Sequence, residues 1–306
     1  MSDIQKRAVL SMDVEDWYHL YYFLGKADTN YSMLDGFTNY VDQLNKHNIK
    51  TTFFVLSELS EIAKEQILYA ASCGHEIACH GKTHIRPLDL SPEQFREEIT
   101  EAKMVLENLI GKEVIGYRAP CYGIDDERYR IVQEVGFRYS SSRMDVRGHS
   151  LYGELDLSSF QQPRQGIYTK EGMTEFALST QKVLGKNIAV SGGGWIRLLP
   201  WSPVMKPLLK SHIKQAETYT LYIHPFELSR RNMPPVADTN FLTNIRARRG
   251  LGKVENRIDE LIAMLSENGF EFCTFRELCD EVNHGEKTYS DSGRLRTSDV
   301  TDDQRV

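Results

Sequence analysis

Strand-like and helix-like segments alternate along this chain, and that order constrains its fold more than any other feature. Residues 7–12 (RAVLSM) read as a short buried strand, and 37–47 carry apolar residues at helical spacing. Residues 51–56 (TTFFVL), β-branched and aromatic, read as a strand, 58–71 as a helix closed by Gly74, and 75–79 as a strand. The next helix has the clearest punctuation: Ser91 as N-cap, Pro92 at the first helical position, Gln94 completing a capping box, and Gly111 at the end. A strand at 114–117, a helix capped by Asp125 or Asp126 and closed by Gly136, and a strand at 137–141 follow. Helical spacing recurs near 174–184, with a short strand near 188–191 and another at 219–223 (YTLYI). An amphipathic helix at 254–266 ends at Gly269. A strand at 270–273 then leads to a second capping box, Thr274 with Glu277, which opens the last helix. Such alternation over 306 residues argues for a parallel α/β fold, either a barrel or an open sheet.

Composition removes several function classes. With 41% hydrophobic and 26% charged residues the chain is neither collagen-like, coiled-coil nor wholly disordered. A net charge of −6 repels phosphate backbones, so nucleic acid is not expected as a partner. Five cysteines, at 73, 79, 121, 273 and 279, form no C-x-x-C pair; the pattern suits a reducing compartment rather than a disulfide framework. The opening residues 1–7 run into a strand-like segment without an apolar stretch of signal-peptide length, and no window approaches a membrane span. The expectation is a cytoplasmic protein with no membrane span. No repeat or linker divides the chain, so residues 1–283 are expected to form one domain, and the polar stretch 284–306 a disordered tail.

In parallel α/β folds, reactive groups gather where strands end at their C-termini. Asp13, Glu15 and Asp16 follow the first strand, and His80 and His84 the third. Arg118 follows the fourth, in the run Tyr117-Arg118-Ala119-Pro120-Cys121-Tyr122-Gly123, and His224 follows the strand at 219–223. On a helical turn, His80 and His84 would face one side and share a metal, with a carboxylate from the acidic cluster completing a His₂–carboxylate site. Taken singly, each residue also has a plain reading: capping or surface histidines, an acidic helix N-cap, a surface arginine, a buried histidine.

Together these segments resemble the polysaccharide deacetylases, the NodB-homology carbohydrate esterases. The first motif of that family is matched by Asp13-Val14-Glu15-Asp16, the second by His80-Gly81-Lys82-Thr83-His84, the third by Arg118-Ala119-Pro120-Cys121, and the last by Leu221-Tyr222-Ile223-His224-Pro225. The matches keep the family's order and span about residues 10–225. The wording around D-V-E-D-W, G-G-G-W-I-R-L-L-P-W and Y-I-H-P-F-E resembles a subgroup tied to exopolysaccharide or O-antigen biosynthesis.

The resemblance implies a distorted (β/α)7 barrel and metal-assisted removal of an acetyl group, foremost an N-acetyl group, from a sugar or glycan intermediate. Carried over by motif position, Asp13 is the general base, His224 the general acid, and His80 and His84 ligands of a divalent metal, Zn²⁺. Glu15 is the first choice for the third ligand and Asp16 the alternative. Arg118 would keep Asp13 ionised. Cys121 and Tyr122 fall at the oxyanion or substrate side, with a backbone N–H near Cys121 facing the oxyanion. Trp195 reads either as a sugar-stacking wall or as a core residue, and Arg197 as a substrate contact. The glycines of Ser191-Gly192-Gly193-Gly194 could also cradle phosphate.

The match departs from the family at four places. Asp-Val-Glu-Asp replaces Asp-Asp-Gly. Gly81 stands for the Ser/Thr that steadies the histidine loop. Cys121 replaces an aromatic residue, and the aspartate that orients the arginine has no counterpart. Two other readings therefore stay open: a metal-independent amidohydrolase acting on a cyclic amide, and a non-catalytic glycan-binding homologue.

Overall fold

The computed structural model describes residues 5–294 apart from 24, 147–149 and 237–238, and of 285–294 the backbone alone. In chain order it places β1 (Lys6–Val14), α1 (Asp35–Lys46), β2 (Thr52–Val55), α2 (Lys64–Ser72), β3 (Glu76–Cys79), α3 (Pro92–Ile110), β4 (Gly116–Tyr117), α4 (Asp126–Glu134) and β5 (Tyr139–Ser140). Then come β6 (Gln161–Arg164), β7 (Ile167–Lys170), β8 (Met173–Phe176), β9 (Thr180–Val183), β10 (Lys186–Ala189), α5 (Gly193–Leu198) and α6 (Lys206–Gln215). β11 (Thr218–Ile223), α7 (Phe241–Arg248), α8 (Val254–Glu267), β12 (Phe270–Phe272) and α9 (Phe275–Arg294) complete the chain.

Ten strands form one curled sheet in the order β11-β1-β2-β3-β4-β5-β8-β7-β6, with β12 beside β1. Helices cover the outside of the sheet, as in the distorted (β/α)7 barrel that was expected. β1 is the hub. It pairs in parallel with β11 along Arg7–Met12, with β2 along Met12–Val14 and with β12 along Lys6–Ala8. Side chains on a strand alternate between faces, and β1 divides accordingly. Ala8, Leu10, Met12 and Val14 join the large core beneath the helices. Val9 faces inward with Phe54, Ala78, Ile115, Tyr139 and Phe176, and Phe275 and Leu278 of α9 pack into this inner cluster. Ser11 and Asp13 share the face of Val9, so the first acidic residue of the strand end belongs to the barrel interior.

Most capping predictions match the structure. Ser91 and Gln94 form the capping box of α3, and Gly111 closes it in the left-handed region. Asp125, not Asp126, caps α4, and Thr274 and Glu277 bond reciprocally at the start of α9. Two expectations need correction. The helix placed at 58–71 is a 3-10 turn at Ser57–Ser60 followed by the shorter α2. The helical spacing near 174–184 belongs to β8 and β9. β8 enters the sheet between β5 and β7, and β9 pairs with β10 in a separate hairpin. Two-residue turns with both φ values positive, Glu171-Gly172 and Leu184-Gly185, join β7 to β8 and β9 to β10. The backbone of α9 continues through 284–294, the first part of the expected tail; residues 295–306 lie outside the described residues. Among the described residues no helix is long and apolar enough to cross a membrane.

Candidate active site and metal centre

The inward face of β1 starts the site. Asp13 is buried and pairs with the fully buried Arg118, whose Nη1 donates to Asp13 Oδ1 at 2.6 Å. Desolvating both charges is costly unless every partner is supplied. Arg118 has them: Nη1 also donates to Ser11 Oγ at 2.9 Å, Nε to the Ser141 carbonyl at 3.0 Å, and Nη2 to Ser141 Oγ at 2.8 Å. Its guanidinium lies 3.9 Å from the Phe54 ring centroid. Ser11 and Ser141 therefore take the orienting part of the missing family aspartate.

The two residues after Ser141 are held in turn by Glu175 on β8. Its Oε1 accepts the backbone N–H groups of Ser142 and Arg143, both at 2.7 Å. Burial pushes this carboxyl up to about 7 against those hydrogen bonds.

Glu15, two residues past Asp13, meets the histidines. Ligand-capable atoms of Glu15, His80 and His84 all lie within 4.8 Å of one another. His80 and His84 do not sit on a helical turn, as their spacing alone suggested, but on a bend after β3. Gly81 carries φ +97° there. A side chain at Gly81 would be strained and would press on Glu98, whose Oε1 is 3.1 Å from the Cβ position. The same oxygen accepts the N–H groups of Lys82 and Thr83 at 2.6 and 3.0 Å. Glu98, from α3, thus steadies the loop in place of the missing hydroxyl. Burial lifts its carboxyl to about 7.

The donor set fits a divalent cation. His80 Nδ1–H donates to the Arg118 carbonyl at 2.8 Å, which leaves Nε2 as its free lone pair. Glu15 Oε2 and His84 Nδ1 are buried without a hydrogen-bond partner, and Glu15 Oε2 approaches His84 Nε2 at 2.7 Å without hydrogen-bond geometry. Burial would raise the Glu15 carboxyl, but His84, His224 and His80 together hold it at about 2. Burial lowers His80 to about 4, so it is neutral and able to ligate at pH 7. Asp16, the alternative ligand, is spent as a cap: Oδ1 accepts from the N–H groups of Trp17 and Met33.

His224 stands at the end of β11, with Nε2 3.4 Å from Glu15 Oε1 and Nδ1 3.4 Å from Glu227 Oε2. Burial disfavours its charge, yet the Glu227 hydrogen bond and the nearby carboxylates raise it to about 9. Glu227 was not foreseen. It also pairs with Arg197, whose Nε donates to Oε1 at 2.9 Å. Arg197 donates further to the carbonyls of Arg246 and Arg249, so its guanidinium faces protein groups rather than open space. The glycine run makes room for this carboxylate: a Cβ on Gly193 would sit 1.9 Å from Glu227 Oε2. The anion beside those glycines is therefore the protein's own. Trp195 is 38% exposed and is no core residue.

Cys121 and Tyr122 both adopt positive φ, 54° and 53°, a strained pair for non-glycine residues. Among the described residues the Cys121 N–H has no acceptor, while Tyr122 Oη donates to Asp13 Oδ2 at 3.4 Å. Tyr222 stands between Tyr122 and His224, with ring centroids 5.2 and 5.7 Å away, and makes an aromatic wall the motifs did not reveal. A cleft of about 180 Å³ opens beside His224, lined by Tyr22, Phe23, Gly194, Tyr222 and Thr243 among others.

The barrel thus brings together a Glu-His-His cluster that could hold a metal ion, a buried Asp–Arg pair and a carboxylate-backed histidine. Residues 28–140 match the family model "Polysaccharide deacetylase", and 141–280 match "Domain of unknown function (DUF3473)". A Gibberella zeae peptidoglycan deacetylase-like protein is 31% identical over 100 residues, 33% of this chain and 29% of that protein. The Helicobacter pylori peptidoglycan deacetylase is 26% identical over 99 residues, 32% of this chain and 34% of its own. The chain thus matches about a third of the length of these relatives. A solved Mycobacterium smegmatis structure, provisionally assigned as a polysaccharide deacetylase, superposes with a TM-score of 0.62 at 19% identity, covering 94% of this chain and 93% of that one. A Bacillus anthracis pseudoenzyme of the CE4 family gives 0.52 at 14% identity, covering 90% of this chain and 66% of its own. At these identities the likeness speaks for the fold. Over residues 28–140 the chain is similar to the polysaccharide deacetylases.

Glu175 generates a prediction on stability. A carboxyl raised in the folded state stabilises fully below pH 4.5 and loses that contribution as pH rises through about 7. Urea unfolding of wild type and Glu175→Gln from pH 4.5 to 8 should show wild type losing roughly 3 kcal/mol relative to the variant. Parallel curves would place the Glu175 carboxyl at its ordinary value.

Proposed function

We propose that this chain removes an acetyl group from an amide-linked acetylated sugar, with Glu15, His80 and His84 holding a divalent cation, Zn²⁺ in the first instance. One observation carries the reading: the convergence of that cluster with Asp13 from one side and His224 from the other. A cation held there supplies Lewis acidity, polarising the acetyl carbonyl and easing the deprotonation of water.

The chain's own groups account for the rest. Asp13, paired with Arg118, accepts a proton from the attacking water as its oxygen bonds to the acetyl carbon. The Cys121 N–H, presented by the strained turn, donates to the oxygen that becomes negative. His224, protonated and backed by Glu227, donates to the sugar nitrogen as the carbon–nitrogen bond breaks. One water is consumed, and a free amine and acetate result. The buried Glu227–Arg197 pair fixes the imidazole's orientation. We extend the reading to an acetylated intermediate of surface or exopolysaccharide assembly, on the wording of the motifs, with peptidoglycan-type oligosaccharides as the first alternative substrates.

The test is elemental analysis beside acetate release from N-acetylated oligosaccharides. Wild type should hold about one divalent ion per chain and release acetate; His80→Ala/His84→Ala should lose both. Wild type that stays metal-free after reconstitution yet hydrolyses would move the reading to a metal-independent amidohydrolase, and sugar bound but recovered unchanged would move it to a binding protein.

Two supporting residues give graded outcomes. Glu98→Gln should weaken metal affinity roughly 10- to 100-fold in chelator competition while keeping the fold, because the histidine loop loses a charged acceptor. Glu227→Gln should lower kcat by roughly 10²-fold or more with little change in KM, since proton delivery and not binding is lost. An unchanged kcat would remove Glu227 from the role of supporting the acid.

A further inference from the structure

α7 is amphipathic in the inverted sense. At 100° per residue, Phe241, Leu242, Ile245, Arg248 and Arg249 fall on one stripe. Phe241 is 76%, Leu242 69% and Ile245 41% exposed, while Ala247 on the other side is buried. A shallow groove of about 600 Å³ follows the stripe, lined by Pro235, Phe241, Ile245, Arg248 and Arg249 among others. A surface helix normally turns its apolar side chains inward; this one turns three large ones out.

Charge accumulates at the same place. The chain has a net charge of −6, yet residues 230–249 carry five arginines against one aspartate. Among the described residues Arg246, Arg248 and Arg249 have no carboxylate partner, whereas Arg230 pairs with Glu255. The exposed Tyr22 lines the His224 cleft together with Thr243, Arg246 and Ala247 of α7. Apolar side chains, unpaired guanidinium groups and exposed tyrosine are the chemistry of the interface between water and an anionic bilayer.

We propose that the outward stripe of α7 seats the protein on an anionic lipid surface. Phe241, Leu242 and Ile245 enter the headgroup–acyl boundary, and Arg248 and Arg249 meet lipid phosphates. The inner side of the same helix borders the His224 cleft, so the cleft lies about one helix diameter, ~10 Å, from the bilayer surface. A glycan carried on a lipid is then within reach of the cleft. The seating rests on the helix alone and not on the deacetylase reading.

Co-sedimentation of the full chain with phosphatidylcholine vesicles, with and without phosphatidylglycerol, tests it. Wild type should sediment with the anionic vesicles and not with the neutral ones, and raised salt should weaken binding. Arg248→Glu/Arg249→Glu and Phe241→Ser/Leu242→Ser should each lose about tenfold in affinity or more. Both variants should keep the wild-type circular dichroism spectrum and thermal midpoint, since these side chains pack against little. Absence of wild-type binding, or binding undiminished in both variants, overturns the proposal. So does a wild-type dimer that Phe241→Ser/Leu242→Ser dissociates in light scattering, which makes the stripe a contact between copies.

Discussion

The ion pair between Asp13 and Arg118 organises the centre of this molecule. Arg118 is fully buried and Asp13 almost so, and each depends on the other and on a well-filled set of donors and acceptors. Removing one member of such a pair typically costs about 3–5 kcal/mol, because the other is left charged in a low-dielectric interior. The arginine ties β1 to the segment after β5 through Ser11 and Ser141, and its carbonyl holds His80. One buried cation therefore fixes the register between the acidic strand end and the histidine loop. Its seat on Phe54, with Phe275 at 5.7 Å, connects it to the apolar plug formed by the start of α9.

The two matched segments, 28–140 and 141–280, are parts of one barrel. β5 of the first pairs with β8 of the second, and β1, which precedes both, pairs with β11. The candidate site is divided in the same way. The histidine loop, Arg118 and Glu98 come from the first segment. His224, Glu227, Arg197 and Glu175 come from the second, and Asp13 and Glu15 lie before either. The segment described only as a domain of unknown function thus supplies the histidine opposite the carboxylates and the acidic groups that support it.

Much of this was legible before any coordinates. Strand–helix alternation and three capping signals located most elements, because caps and β-branched runs are local chemistry. Strand-end residues from β1, β3, β4 and β11 converge as the parallel sheet requires. The second layer of support was not legible. Glu98, Glu175 and Glu227 look like ordinary surface glutamates until the fold encloses them, and their partners are backbone N–H groups, the nearby His224 and the distant Arg197. Gly81 read as a lost hydrogen bond, whereas the backbone there is left-handed and the bond arrives from α3. The stretch 174–184 misled because Phe176, Ala177, Val183 and Leu184, repeating seven residues apart, mimic a helical period over short strands. The Glu171-Gly172 and Leu184-Gly185 turns, which could have exposed the hairpins, lack the Asn or Asp that makes such turns conspicuous.

The position of β1 also bears on how the barrel is made. Its neighbours are β2, β11 and β12, and β12 contributes Phe270–Phe272 near the far end of the domain. During synthesis at 5–20 residues per second, the first strand waits roughly 10–50 s before its last two partners leave the ribosome. For that interval a strand with seven consecutive core-bound residues, two of them charge partners or acceptors in the finished site, has one unpaired edge. A nascent chain of this topology needs shelter for its earliest segment, and a truncation before β11 leaves β1 without the strand along which it makes its longest pairing.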